Sequence, residues 1–187
     1  MNNTSISTRE RILAAAVQVI LEKGTERLTL DATAQTAGVS KGGLLYHFAS
    51  KDALIEGLLH WLLDGFNQQL KAELEREPEA PGRWLRAYIR ATFADPDSPP
   101  KELVTMLLGG LASESALAKI VRDAFASWRD YSLQDGLPPA RATLIRHAVD
   151  AFWMEGILHL PPSSLEDPAA LEAELIRLTY LEGTATL

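Results

Sequence analysis

Six residues between positions 41 and 51 could hold a polyanion: Lys41, Gly42, Gly43, Tyr46, His47 and Lys51. The lysines supply compact, mobile positive charge to phosphate oxygens. Tyr46 and His47 put polar tips on flat rings, suited to the same oxygens. Two adjacent glycines cost about 1 kcal/mol each in a helix relative to alanine, and their gain is close approach of another backbone. The chemistry on offer is binding, not bond-making. The four histidines are His47, His60, His147 and His159, and none falls in an H-E-x-x-H pattern. His147 and Asp150 stand near one another, but a lone polar pair of this kind is more often surface or interface than a metal site. No G-x-S-x-G, phosphate loop or dinucleotide fingerprint occurs. There is no cysteine, hence no disulfide framework, thiolate nucleophile or cysteine-based zinc site. No catalytic residue, metal ligand or cofactor is assigned.

The six residues need an element to present them, and the stretch from Leu28 to Phe48 provides one. Leu30, Ala34 and Ala37 recur at helical spacing. Thr29 precedes them as an N-cap, its hydroxyl placed to accept from a first-turn amide. Gly38 is the stop signal, the residue that most readily takes a left-handed backbone. Val39 plugs the turn, and Ser40 caps a second helix over about Lys41–His47. Helix, glycine turn, helix is the helix-turn-helix pattern, whose second helix enters the DNA major groove. Lys41 then falls in the first turn, where base edges are met, and the Thr29 and Ser40 hydroxyls complete the DNA-contact set. The plainer alternative is a small helical hairpin with linker glycines and half-buried Tyr46 and His47.

Leu28 to Leu54 resembles the N-terminal domain of the tetracycline-repressor (TetR) family of bacterial transcription regulators. The matching residues are Thr29, Ala34, Ala37-Gly38-Val39-Ser40-Lys41-Gly42, Leu44, Tyr46-His47-Phe48 and Ser50-Lys51-Asp52-Ala53-Leu54, preceded by Thr8–Ala16 and Lys23-Gly24. Two positions depart from the family pattern. Leu45 stands where many members carry an aromatic that contacts phosphate, and Tyr46 is the nearest replacement. Gly43 stands where Thr or Ala is common, which removes one hydroxyl contact. The resemblance implies an all-α chain: a three-helix DNA-binding domain with a helix-turn-helix at 1–50, then a roughly six-helix effector-binding and dimerisation domain at 51–187. It further implies that a small effector in the body moves the long fourth helix and changes the spacing of two DNA heads.

Composition is compatible. The chain has 187 residues, 47% hydrophobic and 23% charged, the balance of a soluble globular protein. MNNTSIST has neither a basic n-region nor an apolar h-region, and no run reaches the 18 or so apolar residues of a membrane span; a cytoplasmic protein without membrane contact is expected. The net charge of −7 is unevenly spread. Residues 1–51 hold six basic and four acidic residues, a net +2, which leaves −9 for the remainder. A mildly positive head beside an acidic body is the asymmetry expected when one end meets phosphates.

Along the chain the pattern is helical throughout. Ser7 and Glu10 form a capping box, and the helix to about Lys23 shows Ile12, Leu13, Ala16, Val17, Ile20 and Leu21 on one face. Ser50 caps a long helix from Lys51 to about Glu77, with Leu54, Leu58, Leu62, Phe66 and Leu70 along one side. Proline then punctuates. Helices are expected from Gly82 or Arg83 to about Phe93, from Lys101 to about Leu111, and from Glu114 (capped by Ser113) to about Asp135. Two more run from Pro139 or Ala140 to about Leu160 and from Pro168 to about Glu182, giving nine.

The body is rich in helical aromatics and methionine. Trp61, Trp84, Tyr88, Met106, Phe125 and Trp128 are the candidate lining of a ligand pocket, with Trp and Tyr tips fixing orientation; ordinary core packing is the bland reading. The last two helices carry candidate dimer stripes: Ile145, Ala148, Phe152 and Gly156, and then Leu171, Leu175 and Leu178. The reading that follows is a homodimeric transcription regulator, a repressor released from double-stranded operator DNA by a small apolar or aromatic effector. The alternatives are a helical carrier of apolar molecules without DNA function, and an all-α enzyme; neither would need the stretch from Ser40 to Lys51.

Overall fold

The computed structural model describes residues 6–94, 103–104, 116–157 and 167–180. Among these are eight α-helices: α1 (Thr8–Lys23), α2 (Leu30–Ala37), α3 (Lys41–His47), α4 (Lys51–Arg76), α5 (Arg83–Phe93), α6 (Ala116–Leu133), α7 (Pro139–Ile157) and α8 (Pro168–Tyr180), with one 3-10 turn at Thr25–Arg27. The described residues contain no strand. The helix expected over Lys101–Leu111, its neighbour Ser113, and the ends expected at Leu160 and Glu182 lie outside the described residues; Leu103 and Val104 are helical and buried.

The chain divides into two compact units, and the boundary falls inside α4, between Leu62 and Leu63, rather than at its start near position 50. The physical reason is the first half of α4. Leu54, Leu58 and Leu59 are buried and belong to the head's unit, so the head cannot end where α4 begins. The first unit holds α1 to α3, this half-helix, Leu103, Val104 and the start of α6. Its α1 packs on α2 and on the 3-10 turn, and α2 packs on α3. The expected face of α1 is displaced: Ala15 and Val19 are buried with Ile12, Leu13, Ala16 and Ile20, while Val17 is half-buried and Leu21 is exposed.

The caps are as the sequence spells them. Ser7 Oγ accepts from the Glu10 amide, and Glu10 accepts in return from the Ser7 amide. Thr29 caps α2 through the Ala32 amide, Ser40 caps α3 through the Gly43 amide, and Ser50 caps α4 through the Ala53 amide. Gly38 closes α2 at φ 66, in the left-handed region.

The second unit holds the rest of α4, α5, most of α6, α7 and α8. Here α5 is the central element: it packs on both α7 and α8, which also pack on each other. Its residues Trp84 to Ile89 are all buried. Leu70, Ala142, Ile145, Val149 and Leu175 close the core around it. The start of α5 is fixed from a distance. Asp135 Oδ1 and Oδ2 accept from the amides of Trp84 and Leu85 at 2.7 and 2.8 Å, satisfying two orphan donors of the first turn.

Candidate functional site

In the head, α3 is short and stands out of the core on one side. Only Leu44 of its seven residues is fully buried. Tyr46 is 87% exposed, its ring edge-on to the half-buried His47 at 5.2 Å. Lys41, Gly42 and Lys51 are exposed as well. A Cβ on Gly42 would meet nothing within 4 Å, so the fold itself does not require glycine there. Gly43 differs: a Cβ would stand 3.2 Å from Ser40 Oγ, crowding the cap. Leu45, the departure from the family pattern, is partly exposed. The structure therefore brings Ser40, Lys41, Gly42, Gly43, Tyr46 and His47 onto one short helix and its cap. Thr29 stands at the head of α2 and Lys51 at the head of α4.

Two charged contacts in the head were not legible from spacing. Lys41 Nζ lies 2.9 Å from Asp31 Oδ1, so the first-turn lysine is paired across the turn to α2. Both groups are largely solvent-exposed, and a pair of that kind contributes at most about 1 kcal/mol. Arg11 Nη2 donates to Ala37 O at 2.9 Å, tying α1 to the carboxyl end of α2. The helix-turn-helix thus rests on α1 by a charge-assisted bond at the turn itself.

In the second unit, four of the six candidate pocket residues come together. Trp84 and Tyr88 stack at 4.9 Å, Tyr88 lies 5.9 Å from Trp128, and Trp128 lies 5.1 Å from Phe125. Phe66 joins them, edge-on to both Tyr88 and Trp128. Trp61 belongs to the other unit, and Met106 lies outside the described residues. Trp84 and Tyr88 are buried with their faces against each other, whereas Phe125, Trp128 and Trp153 are half-buried at the margin. Trp153 reaches Phe125 at 6.5 Å. The polar tips are committed: Trp128 Nε1 donates to Asn67 Oδ1 at 3.2 Å, and Tyr88 Oη donates to Asp150 Oδ1 at 2.7 Å. Burial first, then the Asp150 charge and hydrogen bond, raise the Tyr88 phenol well above its ordinary value, so it stays a neutral donor.

Asp150 has a second partner within its own helix, Arg146, whose Nη1 donates to Asp150 Oδ2, while His147 is exposed. The available signal was the i,i+4 spacing of Arg146 and Asp150 on one helix face.

The dimer stripes divide. Ile145 and Leu175 are buried in this chain's own core, so neither can face a partner. Ala148, Leu171 and Leu178 pack against that core, and Phe152 stacks on Phe93 at 4.1 Å. Gly156 has open space where a Cβ would stand. The stripe of α7 that faces outward is instead Ala140, Leu144, His147 and Ala151.

Comparison with known proteins gives two family matches. Residues 82–180 match the model described as "Tetracyclin repressor-like, C-terminal domain", and residues 12–58 match "Bacterial regulatory proteins, tetR family". Among curated relatives, the uncharacterized HTH-type transcriptional regulator YvdT of Bacillus subtilis (strain 168) is 29% identical over 123 residues, 64% of this chain. The HTH-type transcriptional regulator RutR of Escherichia coli (strain K12) is 40% identical over 82 residues, 44% of this chain. The chain spans 61% of YvdT's length and 38% of RutR's. Among solved structures, a transcriptional regulator from Rhodococcus sp. Rha1 superposes with a TM-score of 0.70 at 27% identity, covering 92% of this chain and 94% of that one.

Proposed function

The chain belongs to the TetR family of bacterial regulatory proteins, and on that premise we propose that it is a ligand-responsive, DNA-binding transcription regulator rather than an enzyme. The observation that carries the reading is the presentation of α3. It is capped by Ser40, closed off from α2 by the left-handed Gly38, and shows Lys41, the bare backbone of Gly42, and Tyr46 to solvent. A helix held this way, with little of itself buried, offers its amino-terminal turn to base edges. Ser40, Thr29, Tyr46, His47 and Lys51 hold phosphates and fix register, while Lys41 and Gly42 lie closest to the bases.

A single head reads a short site, so the regulator acts as a homodimer on two half-sites of double-stranded operator DNA. The faces that suit a partner copy are the outward stripe of α7 and the small-residue side of α8, where Ala169, Ala170 and Ala173 are exposed. The effector site is the aromatic cluster of the second unit, bordered by Phe125, Trp128 and Trp153. A small aromatic effector bound there releases the operator, which makes the protein a repressor. No helix among the described residues is long and apolar enough to cross a membrane, in keeping with a regulator that meets DNA in the cytoplasm.

Selection of bound sequences from a random duplex pool tests the reading. The expected result is an inverted repeat whose binding weakens linearly in log salt, as counterion release requires. Recovery of no preferred sequence, with binding insensitive to Lys41→Ala, would refute it.

A further inference from the structure

We propose that the aromatic cluster of the second unit takes neutral, flat aromatic molecules that carry one hydrogen-bond acceptor, and that Arg146 is the residue that binds the acceptor. The proposal rests on the reading of that cluster as the effector site and names the chemistry of its ligand.

The starting point is an unspent donor. Arg146 is 9% exposed, and its buried Nε has no acceptor among the described residues. Its Nη1 is committed to Asp150. A buried N–H without a partner is unfavourable, and an incoming acceptor would remove that cost. The position matters as much as the donor. Arg146, Asp150 and Trp153 are spaced four and three apart on α7, so they share one face. That face meets the cluster twice: Asp150 accepts from Tyr88 Oη, and Trp153 reaches the Phe125 ring. The guanidinium is thereby joined, through Asp150, to Tyr88 of the cluster.

Charge decides the class of ligand. A lone carboxylate beside aromatic faces would favour a cation. Here Asp150 already accepts from both Tyr88 and Arg146, so the group of three is neutral as a whole and its carboxylate is spent. A cation would have to displace Arg146 from its partner. An anion would gain a positive charge that Asp150 already neutralises, and would stand close to that carboxylate. A neutral carbonyl or ring nitrogen has neither difficulty, because it asks only for the free Nε–H. The rings supply the rest through stacking on flat apolar surface.

The test uses one ring system in four forms, titrated into the full-length protein and followed by calorimetry and tryptophan quenching. N-methylacridone is neutral with a carbonyl, N-methylacridinium is the cation, acridine-9-carboxylate is the anion, and 9-methylanthracene has no acceptor. N-methylacridone should bind about tenfold more tightly than the other three, the factor that about 1.4 kcal/mol confers. Arg146→Lys keeps the charge opposite Asp150 but has no Nε; it should erase the preference of N-methylacridone over 9-methylanthracene. Asp150→Asn frees the Arg146 charge and should move the preference to acridine-9-carboxylate. Tighter binding of N-methylacridinium by the wild type, or an unchanged order in Arg146→Lys, would overturn the proposed ligand class while leaving the site in place. Failure of all four probes to bind would instead remove the cluster as an effector site. The wild-type series stands alone should either variant fail to fold.

Discussion

The ring of Phe48 lies directly against the backbone of Gly57: a Cβ on Gly57 would stand 2.5 Å from Phe48 Cε1. Phe48 is the residue that ends α3, and Gly57 is on the second turn of α4. The contact therefore sets how closely α3 approaches α4. Gly57→Ala should destabilise the head by about 1–3 kcal/mol through overpacking, despite the gain of about 1 kcal/mol that alanine brings to a helix interior. Gly65, on the same helix with nothing within 4 Å, is the control. Gly65→Ala should stabilise. Urea unfolding of both variants decides the matter, and equal shifts in the two would show that the Phe48 contact carries no weight.

For DNA contact, the informative substitutions are those that the fold tolerates. Gly42→Ala meets no neighbour in the free protein, so its melting temperature should stay the same or rise while operator affinity falls, because the added methyl stands between α3 and the duplex. Lys41→Ala should lower the salt slope by about one if Lys41 neutralises one phosphate. Asp31 holds Lys41 in the free protein at 2.9 Å. Asp31→Asn should therefore strengthen binding to duplexes of any sequence, since no pair has to open and one negative charge is gone. Gel-shift titrations over a range of salt measure all three.

Acid should weaken the second unit through Glu77. Its carboxylate accepts from Arg86 Nε at 2.7 Å and from Arg90 Nε at 2.8 Å. Burial pushes the carboxyl up, but the hydrogen bonds from Arg90 and Arg86 outweigh it and hold the folded value below the ordinary 4.5. The unfolded chain thus binds the proton more readily. The stabilisation is complete above the unfolded value and is lost as pH falls through the folded one. Asp135 works in the opposite direction: burial raises its carboxyl above 3.8 despite the amides of Leu85 and Trp84, so its contribution is present below that value and declines as pH rises. Urea midpoints from tryptophan fluorescence at about pH 3 and pH 6 should show a clear loss in the wild type. Glu77→Gln should flatten that difference and cost up to about 3–5 kcal/mol near neutrality, because Arg86 is fully buried.

What the sequence made legible was local. Ser7 with Glu10, Thr29, Gly38, Ser40 and Ser50 announce helix ends because a cap and its amide are three residues apart. The bounds of α3 followed from the same caps. What remained hidden joins distant positions. Asp135 caps α5 across about 50 residues, and Tyr88 meets Asp150 across 62; no pattern within one helix encodes either. Faces were legible only where one side is apolar. On α1, Ala15 and Val19 compete with Val17 and Leu21 at nearly the same spacing, and only the position of α2 and the 3-10 turn decides between them.

The same ambiguity on α7 decides where a test of the proposed dimer must cut. Apolar residues run around most of that helix, and periodicity alone marks Ile145 with Phe152. The fold assigns Ile145 to the core and leaves Leu144, 63% exposed, on the opposite side with Ala140, His147 and Ala151. An exposed leucine with Ala140 one turn before it and Ala151 two turns after it lets a second helix approach closely and bury it. An obligate dimer of this kind should cover more than roughly 2,000 Å² with an apolar centre, and α8 contributes Ala169, Ala170 and Ala173 beside it. Leu144→Glu should then yield folded monomers that have lost operator binding, because a carboxylate in that centre is buried without a partner. Ile145→Glu should unfold the second unit whether or not a partner is present. Sedimentation with circular dichroism separates the outcomes. A wild-type chain that sediments as a monomer at micromolar concentration, or a Leu144→Glu variant that remains dimeric, would move the interface away from this stripe.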